Sequence, residues 1–395
     1  MAIELQAHTD AGARLVAIAE ELAGKLARHA AEHDRDGSYP FEAIEALKAA
    51  GYFAAPVQAE LGGLGVDSAH DLVVASSRLA RGDASVAIGV NMHLVILLNI
   101  VRRWQAAVRA EDLRRVNAFG LSLHAIARDS VIMASAVSEH GQDLTRPATK
   151  ATRTDTGWRI DGRKAFCTGS PAATVLNTAV TFTDDEGVER YAFVGIAADA
   201  PGVTIHGDWD ALGMRASGSH SVSFSGVEVP RGALRASFVA GDSGEYMERM
   251  QTAGLFHASA SLGIAEAAAS AVATALAKRG EPDARSRMLV AENAIELGAC
   301  RASLSRAATL VDAGEEELVT LFAEAQAAKA FVNEASARIV DRALAASGGA
   351  GYLNGHPLAR AYRDVRAGSF MHPLGANRAY DFLGDVALGR EVVLH

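Results

Sequence analysis

The first 128 residues carry their hydrophobic positions at the spacing of α-helices. One face of the first helical segment holds Leu15, Ile18, Leu22 and Leu26. Intervals of three or four residues place these side chains on one side of an amphipathic helix. Alanine-rich segments of the same period follow, interrupted by a turn-like sequence at 60–65. The pattern predicts a helical N-terminal domain over residues 1–130.

From about residue 131 the helical period gives way to short runs rich in valine, threonine and aromatic residues. The clearest runs are Trp158–Ile160, Thr174–Phe182, Arg190–Ile196 and Ser221–Phe224. Turn sequences such as Asp184–Gly187 separate them. This arrangement is typical of strands joined by tight turns, so we predict a small antiparallel β domain over residues 131–235.

The helical period returns near residue 244. Two apolar stripes recur at helical spacing, the first made of Met288, Ala291, Ile295, Ala299 and Ala302 and the second of Leu321, Ala325, Ala328, Val332 and Ile339. Because alanine lets helices approach closely, we interpret both stripes as packed faces of a C-terminal helical bundle over residues 236–395. The chain is therefore predicted to be a multi-domain α+β protein.

Composition narrows the class of protein. The 395 residues carry 38 basic and 47 acidic side chains, a net charge of −9, which argues against a nucleic-acid-binding protein with its basic face. The two cysteines, Cys167 and Cys300, are far apart and lack metal-ligand spacing. The N-terminus resembles no targeting signal, and the longest apolar run, Leu94–Val101, is too short to cross a bilayer. We expect a cytoplasmic protein without membrane spans.

Several common enzyme motifs are absent. The glycines at 349–351 lack the third glycine of a dinucleotide fingerprint and follow a helix-like segment rather than a strand. The sequence also lacks the phosphate-binding loop, the zinc-protease helix motif and the serine-hydrolase elbow. Rossmann dehydrogenases, P-loop enzymes, zinc proteases and α/β-hydrolases thus have no support.

Short motifs instead follow one another in a fixed order along the chain. They are Glu60–Gly65, Val137–Glu139, Asp161–Gly169, Leu212–Ser217, Gly348–Tyr352 and Arg363–Asp364. In this order they resemble the acyl-CoA dehydrogenase superfamily over almost the whole chain. The resemblance implies a helical N-terminal domain, a β-barrel-like middle domain and a C-terminal four-helix bundle. It also implies a flavin between the last two domains and a homotetramer.

The resemblance places three residues beside the flavin. Ser138 corresponds to a family hydroxyl at the pyrimidine edge of the ring, where a donor stabilises negative charge. Phe166 and Thr168 correspond to residues at the N5 edge. The alternatives are an ordinary strand-end serine and a β-branched residue in a strand. Cys167 alternates to the opposite face of the strand, so we do not expect it to be reactive.

A glycine-rich loop corresponds to the segment that approaches a cofactor phosphate or the adenosine in the family. Its residues here are Gly348, Gly349 and Gly351. Glycine permits close approach of the backbone to a ligand, but the same residues also suit the end of a helix and a tight turn. The two interpretations are compatible.

The carboxylate base of the family is missing. In typical members a glutamate stands eight residues after the Arg-Asp pair, and here that position holds His372. Other members carry the glutamate about ten residues before a Leu-Gly pair, and here that position holds Ala253. Glu248 lies nearby, but its offset of about one and a half helical turns points it elsewhere unless the chain bulges.

Two sequence features that hold the adenine end of FAD in the family are also missing. The Arg-x-x-Phe-Gly motif is replaced by Lys278–Asp283, and the glutamine before the double glycine is replaced by Ala345. The cofactor is therefore expected to be FAD or FMN, bound as reduced flavin.

A histidine in place of the glutamate resembles the two-component flavin-dependent monooxygenases, such as dibenzothiophene monooxygenase. These enzymes receive reduced flavin from a separate reductase and form a C4a-hydroperoxide with dioxygen. The sequence at Phe166–Gly169 and an early-helix histidine, here His93, also resemble that branch. The resemblance implies His372 as proton donor or base and His93 on the substrate side, because imidazole exchanges protons near neutral pH.

Simpler interpretations of these residues stay open. A His-Pro pair such as His372–Pro373 often only ends a loop, and His93 stands among apolar neighbours where a hydrogen-bonded core histidine is common. Asn377 and Arg378 either position the flavin or cap a helix, and Arg363 and Asp364 suit a structural ion pair.

Three functions remain. The first is a monooxygenase that oxidises a small aromatic, thioether or amine substrate with reduced flavin, dioxygen and a partner reductase. The second is an acyl-CoA dehydrogenase with a displaced base, for which Glu248 is the candidate. The third is a non-catalytic scaffold that binds no flavin.

Overall fold

In a computed structural model, which describes residues 4–129, 131–141 and 143–394, the N-terminal region is helical. Its helices are α1 (Asp10–Leu26), α2 (Ala30–Asp36), α3 (Phe41–Ala49), α4 (Ala69–Ala80), α5 (Ala84–Arg109) and α6 (Leu113–Asp129). Helix α1 follows Thr9, whose hydroxyl accepts a hydrogen bond from the Gly12 amide. Leu15, Leu22 and Leu26 are buried, as the periodicity predicts, and α1 packs on α4.

The middle region is an eight-stranded sheet. Its strands are β1 (Met133–Ala136), β2 (Lys150–Arg153), β3 (Gly157–Cys167), β4 (Val175–Thr183), β5 (Glu189–Ala197), β6 (Val203–Ile205), β7 (His220–Pro230) and β8 (Arg235–Val239). The strand order is β6-β7-β3-β2-β4-β5-β8, with β1 beside β4. All four strand runs identified in the sequence lie in this sheet.

Two features of the sheet differ from the prediction. Strands β1 and β2 run parallel to β4, so the predicted antiparallel sheet is mixed at these pairs. The chain passes through β3 before it reaches β4, and a strand pair that is not joined by a hairpin is free to be parallel. Strand β8 also continues to Val239, beyond the expected boundary at residue 235.

The C-terminal region is again helical. Its helices are α7 (Ser243–Met250), α8 (Ala253–Lys278), α9 (Ala284–Ala313), α10 (Leu318–Ser347), α11 (Pro357–Asp364) and α12 (Ala376–Ala387). Helix α10 packs against both α8 and α9. The apolar stripe identified on α10 is buried, as predicted.

The stripe identified on α9 is on the wrong face. Met288 is 50% and Ile295 is 72% exposed, whereas the side that packs against the bundle carries Leu289, Leu297 and Leu304. Both sides of α9 are rich in alanine and other apolar residues. The periodicity alone therefore did not distinguish the packed face from the outer one.

A buried ionic cluster joins three helices. Glu266 on α8 accepts hydrogen bonds from Arg301 on α9, at 2.7 Å, and from Arg81 at the end of α4, at 2.8 Å. The guanidinium of Arg78, itself only 1% exposed, lies 3.5 Å away. One carboxylate thus serves three guanidinium groups at the junction between the N-terminal and C-terminal helices.

Two helices, α5 and α8, are long and apolar enough to cross a membrane by length and composition. Most of the apolar window is buried inside the fold in each, 72% in α5 and 56% in α8. The two helices also pack against each other and against α4. Such burial is typical of the core helices of a globular protein, which pass the same test.

Candidate active site

A cavity of about 1460 Å³ opens between the sheet and the helices that precede and follow it in the chain. Its walls come from α5, α6, the strand ends, the start of α8 and the segment 363–372. A single small molecule usually occupies about 300–1,000 Å³, so this cavity has room for a cofactor and a second molecule. Ser138, Phe166, Thr168 and His372 all line it.

His372 lies in the loop between α11 and α12. Its Nε2 is 2.9 Å from the hydroxyl of Tyr246, which is on α7. Burial, with the positive charges of Lys329 and Arg378 nearby, lowers the pKa of His372 to about 3. The imidazole is therefore neutral at pH 7 and offers one N–H donor and one acceptor nitrogen. It can hold or pass a proton, but it is not a cationic acid.

Lys329 of α10 holds the loop that carries His372. Its ammonium donates hydrogen bonds to the carbonyl oxygens of Met371 and of Leu374, the latter at 2.6 Å. Burial lowers the pKa of Lys329 to about 7. The two carbonyl groups flank His372 in sequence, so this lysine fixes the position from which the imidazole faces the cavity.

We expect Lys329→Met to loosen this loop. Each buried carbonyl that loses its partner costs about 1–3 kcal/mol, so the variant should melt at a lower temperature and turn over at least tenfold more slowly. Thermal unfolding and steady-state kinetics measure both effects. The control is Lys278→Met at the exposed end of α8, and equal behaviour of the two variants would contradict the role assigned to Lys329.

Ser138 is held at the cavity by its neighbours. Its carbonyl accepts a hydrogen bond from the amide of Ala165 at 2.8 Å. The next residue, Glu139, accepts hydrogen bonds at 2.6 Å from the ammonium of Lys164 and from the hydroxyl of Thr149. This buried charge pair fixes the end of β1 on β3, so Ser138 and Phe166 share one wall of the cavity.

The cavity wall at the end of β3 carries an aromatic ring and a row of hydroxyl groups, two of which come from the segment before β7. Phe166 has φ of +55°, an uncommon conformation for a residue with a side chain, and its ring lies 5.9 Å from that of Trp209. The hydroxyl of Thr168 is 2.9 Å from that of Ser219, which is 2.7 Å from that of Ser217. Sequence analysis identified Thr168 but not this row of three hydroxyls.

His93, which the resemblance places on the substrate side, does not line the cavity. Its Nε2 is 2.8 Å from the carbonyl of Phe53, and its Nδ1 accepts a hydrogen bond from the amide of Met133 at 3.0 Å. The ring is fully buried and does not line the cavity. Burial lowers its pKa to about 4. His93 therefore ties α5 to β1 as a core histidine.

The glycine loop also lies outside the cavity of this chain, at the end of α10. Gly348 adopts φ of +72° as the cap of that helix, and a Cβ on Gly351 would come within 2.0 Å of the Ser347 hydroxyl. The local geometry of Gly348, Gly349 and Gly351 accounts for helix termination. The loop does not line the cavity of the same chain, so its glycines are not placed to contact a cofactor bound there.

Three other residues named above also lie away from the cavity walls. Cys167 is buried in the sheet core, and burial raises its pKa to about 12, so its thiol is unreactive, as expected. Asn377 and Arg378 are exposed in the first turn of α12 and do not line the cavity. Their geometry favours the helix-end interpretation over contact with the flavin.

The expected ion pair between Arg363 and Asp364 does not form. Arg363 instead binds Asp34 of α2, at 2.8 Å through one of its nitrogens. Asp364 accepts a hydrogen bond from the amide of Met214 at 2.6 Å, and burial raises its pKa to about 7. Consecutive residues of α11 point to different sides of the helix, which is why each has its own partner.

Glu248 does line the cavity, although its helical offset predicted otherwise. Helix α7 ends at Met250 and α8 begins at Ala253, so the chain breaks between them. This break removes the strict angular relation on which the prediction depended. The side chain is exposed and lies near the guanidinium of Arg103 rather than among the buried polar groups around His372.

Three arginines converge at the same side of the cavity. Arg103 of α5, Arg235 of β8 and Arg249 of α7 all line it. Burial and the charges of Arg249 and Arg235 lower the pKa of Arg103, while Glu248 and Glu245 oppose that shift. Arg249 also pairs with Glu245 at 2.6 Å. Guanidinium groups along one cavity wall favour an anionic ligand.

His257 was missed by the sequence analysis. It lies on α8 one turn after Ala253, the position examined for the missing glutamate, and it lines the cavity. The available signal was a single histidine in an otherwise apolar helical segment. The resemblance to the family points to a carboxylate on this helix and gives no reason to expect an imidazole.

Comparisons with known proteins agree with this architecture. Sequence profiles of the N-terminal, middle and C-terminal domains of acyl-CoA dehydrogenases match residues 14–118, 133–227 and 255–372. The amino sugar nitrososynthase DnmZ of Streptomyces peucetius is 33% identical, over 97% of this chain and 95% of its own length.

Two solved structures are also similar. KijD3 in complex with FMN and dTDP-3-amino-2,3,6-trideoxy-4-keto-3-methyl-D-glucose superposes with a TM-score of 0.89 at 32% identity, covering 98% of this chain and 96% of KijD3. Dibenzothiophene monooxygenase TdsC of Paenibacillus sp. A11-2 superposes with a TM-score of 0.81 at 24% identity, covering 97% and 99%. The second likeness is one of fold alone.

The three-part fold and the cavity between its sheet and C-terminal helices define a flavin-dependent oxidoreductase. Its profiles and relatives place it more narrowly. The chain belongs to the acyl-CoA dehydrogenase family.

Proposed function

We propose that this protein is a flavin-dependent monooxygenase that oxidises the amino group of a small molecule with reduced flavin and dioxygen. The observation that carries the proposal is the neutral imidazole of His372, which faces the cavity where the family has a carboxylate. A neutral imidazole suits proton exchange with oxygen and nitrogen atoms. An ionised glutamate suits removal of a carbon-bound proton instead.

The residues of the cavity fit a flavin. Ser138, Phe166 and Thr168 would hold it, with hydroxyl donors and an aromatic face on one wall. The flavin, when bound, supplies the two electrons by which one atom of dioxygen enters the amine and the other leaves as water. His372 lies in another wall, where the Tyr246 hydroxyl keeps its ring oriented and a ring nitrogen holds a proton.

The substrate class follows from the relatives and from the cavity charge. DnmZ is an amino sugar nitrososynthase, and KijD3 was crystallised with a dTDP-linked amino sugar. In this chain Arg103, Arg235 and Arg249 offer positive charge to a phosphate group at the cavity wall. We therefore propose a nucleotide-linked amino sugar as substrate and FMN as the flavin, delivered by a separate reductase.

A cytoplasmic homotetramer is the corresponding assembly. The apolar outer face of α9, with Met288 and Ile295 exposed, offers a surface for packing against another copy.

Incubation with reduced FMN, dioxygen and dTDP-linked amino sugars, followed by mass spectrometry, tests the reaction. A product that has gained oxygen supports the proposal, and its absence with every amine in the panel would refute it.

A second candidate, acyl-CoA dehydrogenation, has one observation in its favour, because Glu248 lines the cavity. The two functions make opposite predictions for Glu248→Gln. We expect this variant to keep amine oxidation within about twofold of the parent, since an exposed carboxylate is not needed for it. The alternative predicts that the variant loses transfer of electrons from acyl-CoA thioesters to an artificial acceptor, an activity that the parent must then show.

A further inference from the structure

We propose that His257 is the substrate-binding residue for the amine, and that its imidazole accepts a hydrogen bond from the uncharged amino group. The inference rests on the proposed function and names the side chain that selects the reacting nitrogen. None of the motifs compared with the family contains this residue.

The hydrogen bonding of His257 points to a ligand. The residue is only 5% exposed, and its Nδ1 is closed to solvent and has no partner in the described part of the chain. The imidazole nevertheless lines the cavity, and only its Nδ1 is both buried and without a partner among the described residues, so we assign Nε2 as the nitrogen open to a bound molecule. A cavity-facing ring nitrogen that no protein group occupies is available to hydrogen-bond a bound molecule.

His93 shows what a purely structural histidine looks like in this protein. Both of its ring nitrogens are bonded to backbone groups, and its ring does not line the cavity. His257 is buried to a similar degree but has the opposite pattern. Gln326 of α10, which lies against Gly254 one turn before His257, also has both side-chain amide atoms unbonded among the described residues.

His257 and His372 have different roles in the proposed site. Both line the cavity, and their rings are close enough for their charges to interact. His372 is already bonded to the hydroxyl of Tyr246. His257 is the imidazole whose acceptor is available, so the amino group is placed against α8 with the proton-holding His372 beside it.

The surroundings select the uncharged form of the amine. Burial, with Lys329 and His372 nearby, lowers the pKa of His257 well below its usual range. The same environment lowers the pKa of Lys329 itself. Positive charge is thus disfavoured at this end of the cavity, so the amine binds there in its uncharged form and its extra proton stays with the solvent water outside. Oxygen transfer to nitrogen requires the lone pair that this deprotonation frees.

The test measures binding in the oxidised, flavin-loaded protein, where no turnover occurs. The probes are dTDP-3-amino-2,3,6-trideoxy-4-keto-3-methyl-D-glucose and its analogue with hydrogen in place of the amino group. In titration calorimetry we expect His257→Phe to weaken binding of the amine at least tenfold and to leave binding of the analogue unchanged. His257→Gln, which keeps an acceptor, should restore part of the lost affinity.

The other outcomes separate two kinds of failure. Equal weakening of both probes, or no weakening of either, overturns the role of His257, and thermal unfolding of both variants shows which of them fold. If the parent protein binds neither probe, the proposed substrate class fails, and the inference fails with it. Preference of the parent for the analogue over the amine would also overturn the inference.

Discussion

His372→Ala is expected to reduce amine oxidation by about 10²–10⁴-fold, the range typical for loss of a proton-transfer group. Flavin affinity should change little, because Ser138, Phe166 and Thr168 lie on a different wall of the cavity. The measurement mixes anaerobic protein and reduced FMN with oxygenated buffer and substrate. It follows the flavin absorbance and the oxidised product formed for each flavin that is reoxidised.

Tyr246→Phe is the matched control for that experiment. It keeps the imidazole and removes only the hydroxyl that lies 2.9 Å from Nε2. We expect a smaller loss, about tenfold, which corresponds to one hydrogen bond of about 1.4 kcal/mol. If His372→Ala loses flavin binding and turnover to the same extent, His372 is a structural residue and the proposed reaction loses its main support.

Glu266→Gln is expected to lower the free energy of unfolding by about 3 kcal/mol. The substitution keeps the shape of the side chain but removes the negative charge shared by Arg78, Arg81 and Arg301. Breaking a buried ion pair costs about 3–5 kcal/mol because the remaining charge stays out of water. Chemical denaturation of the parent and the variant measures the difference.

A surface pair on the same bundle provides the comparison. Glu324 of α10 binds Arg306 of α9, whose side chain is 62% exposed. Exposed pairs contribute at most about 1 kcal/mol, so Glu324→Gln should be nearly neutral. Similar unfolding curves for the two variants would mean that the buried cluster is not a net source of stability.

The helices and strands could be predicted because each has a strong local period. The α1 and α10 stripes and the four strand runs are buried or paired where the pattern placed them. The prediction of the packed face of α9 was wrong because the helix is apolar on two sides, and the period alone does not determine which side is buried. The parallel pairs of β1 and β2 with β4 depend on chain crossings that no local pattern records.

The residues of the candidate site were likewise predictable from the sequence only in part. Residues carried by motifs, Ser138, Phe166, Thr168 and His372, all reach one cavity. His93 and the glycine loop do not, since a motif position does not reveal which hydrogen bonds the fold will satisfy. His257 depends on the approach of α10 to α8, a distant pairing that spacing along the chain does not encode.

Two groups of cavity-lining residues come from separate parts of the sequence. Ser138, Phe166 and Thr168 come from the ends of strands in the middle region, whereas both imidazoles come from the region after residue 242. A transplant of residues 243–257 and 370–375 between relatives would therefore exchange both imidazoles and leave intact the strands proposed to hold the flavin. Under the proposed function, the fold thus separates two traits, cofactor retention and substrate choice, that mutation and recombination can alter independently.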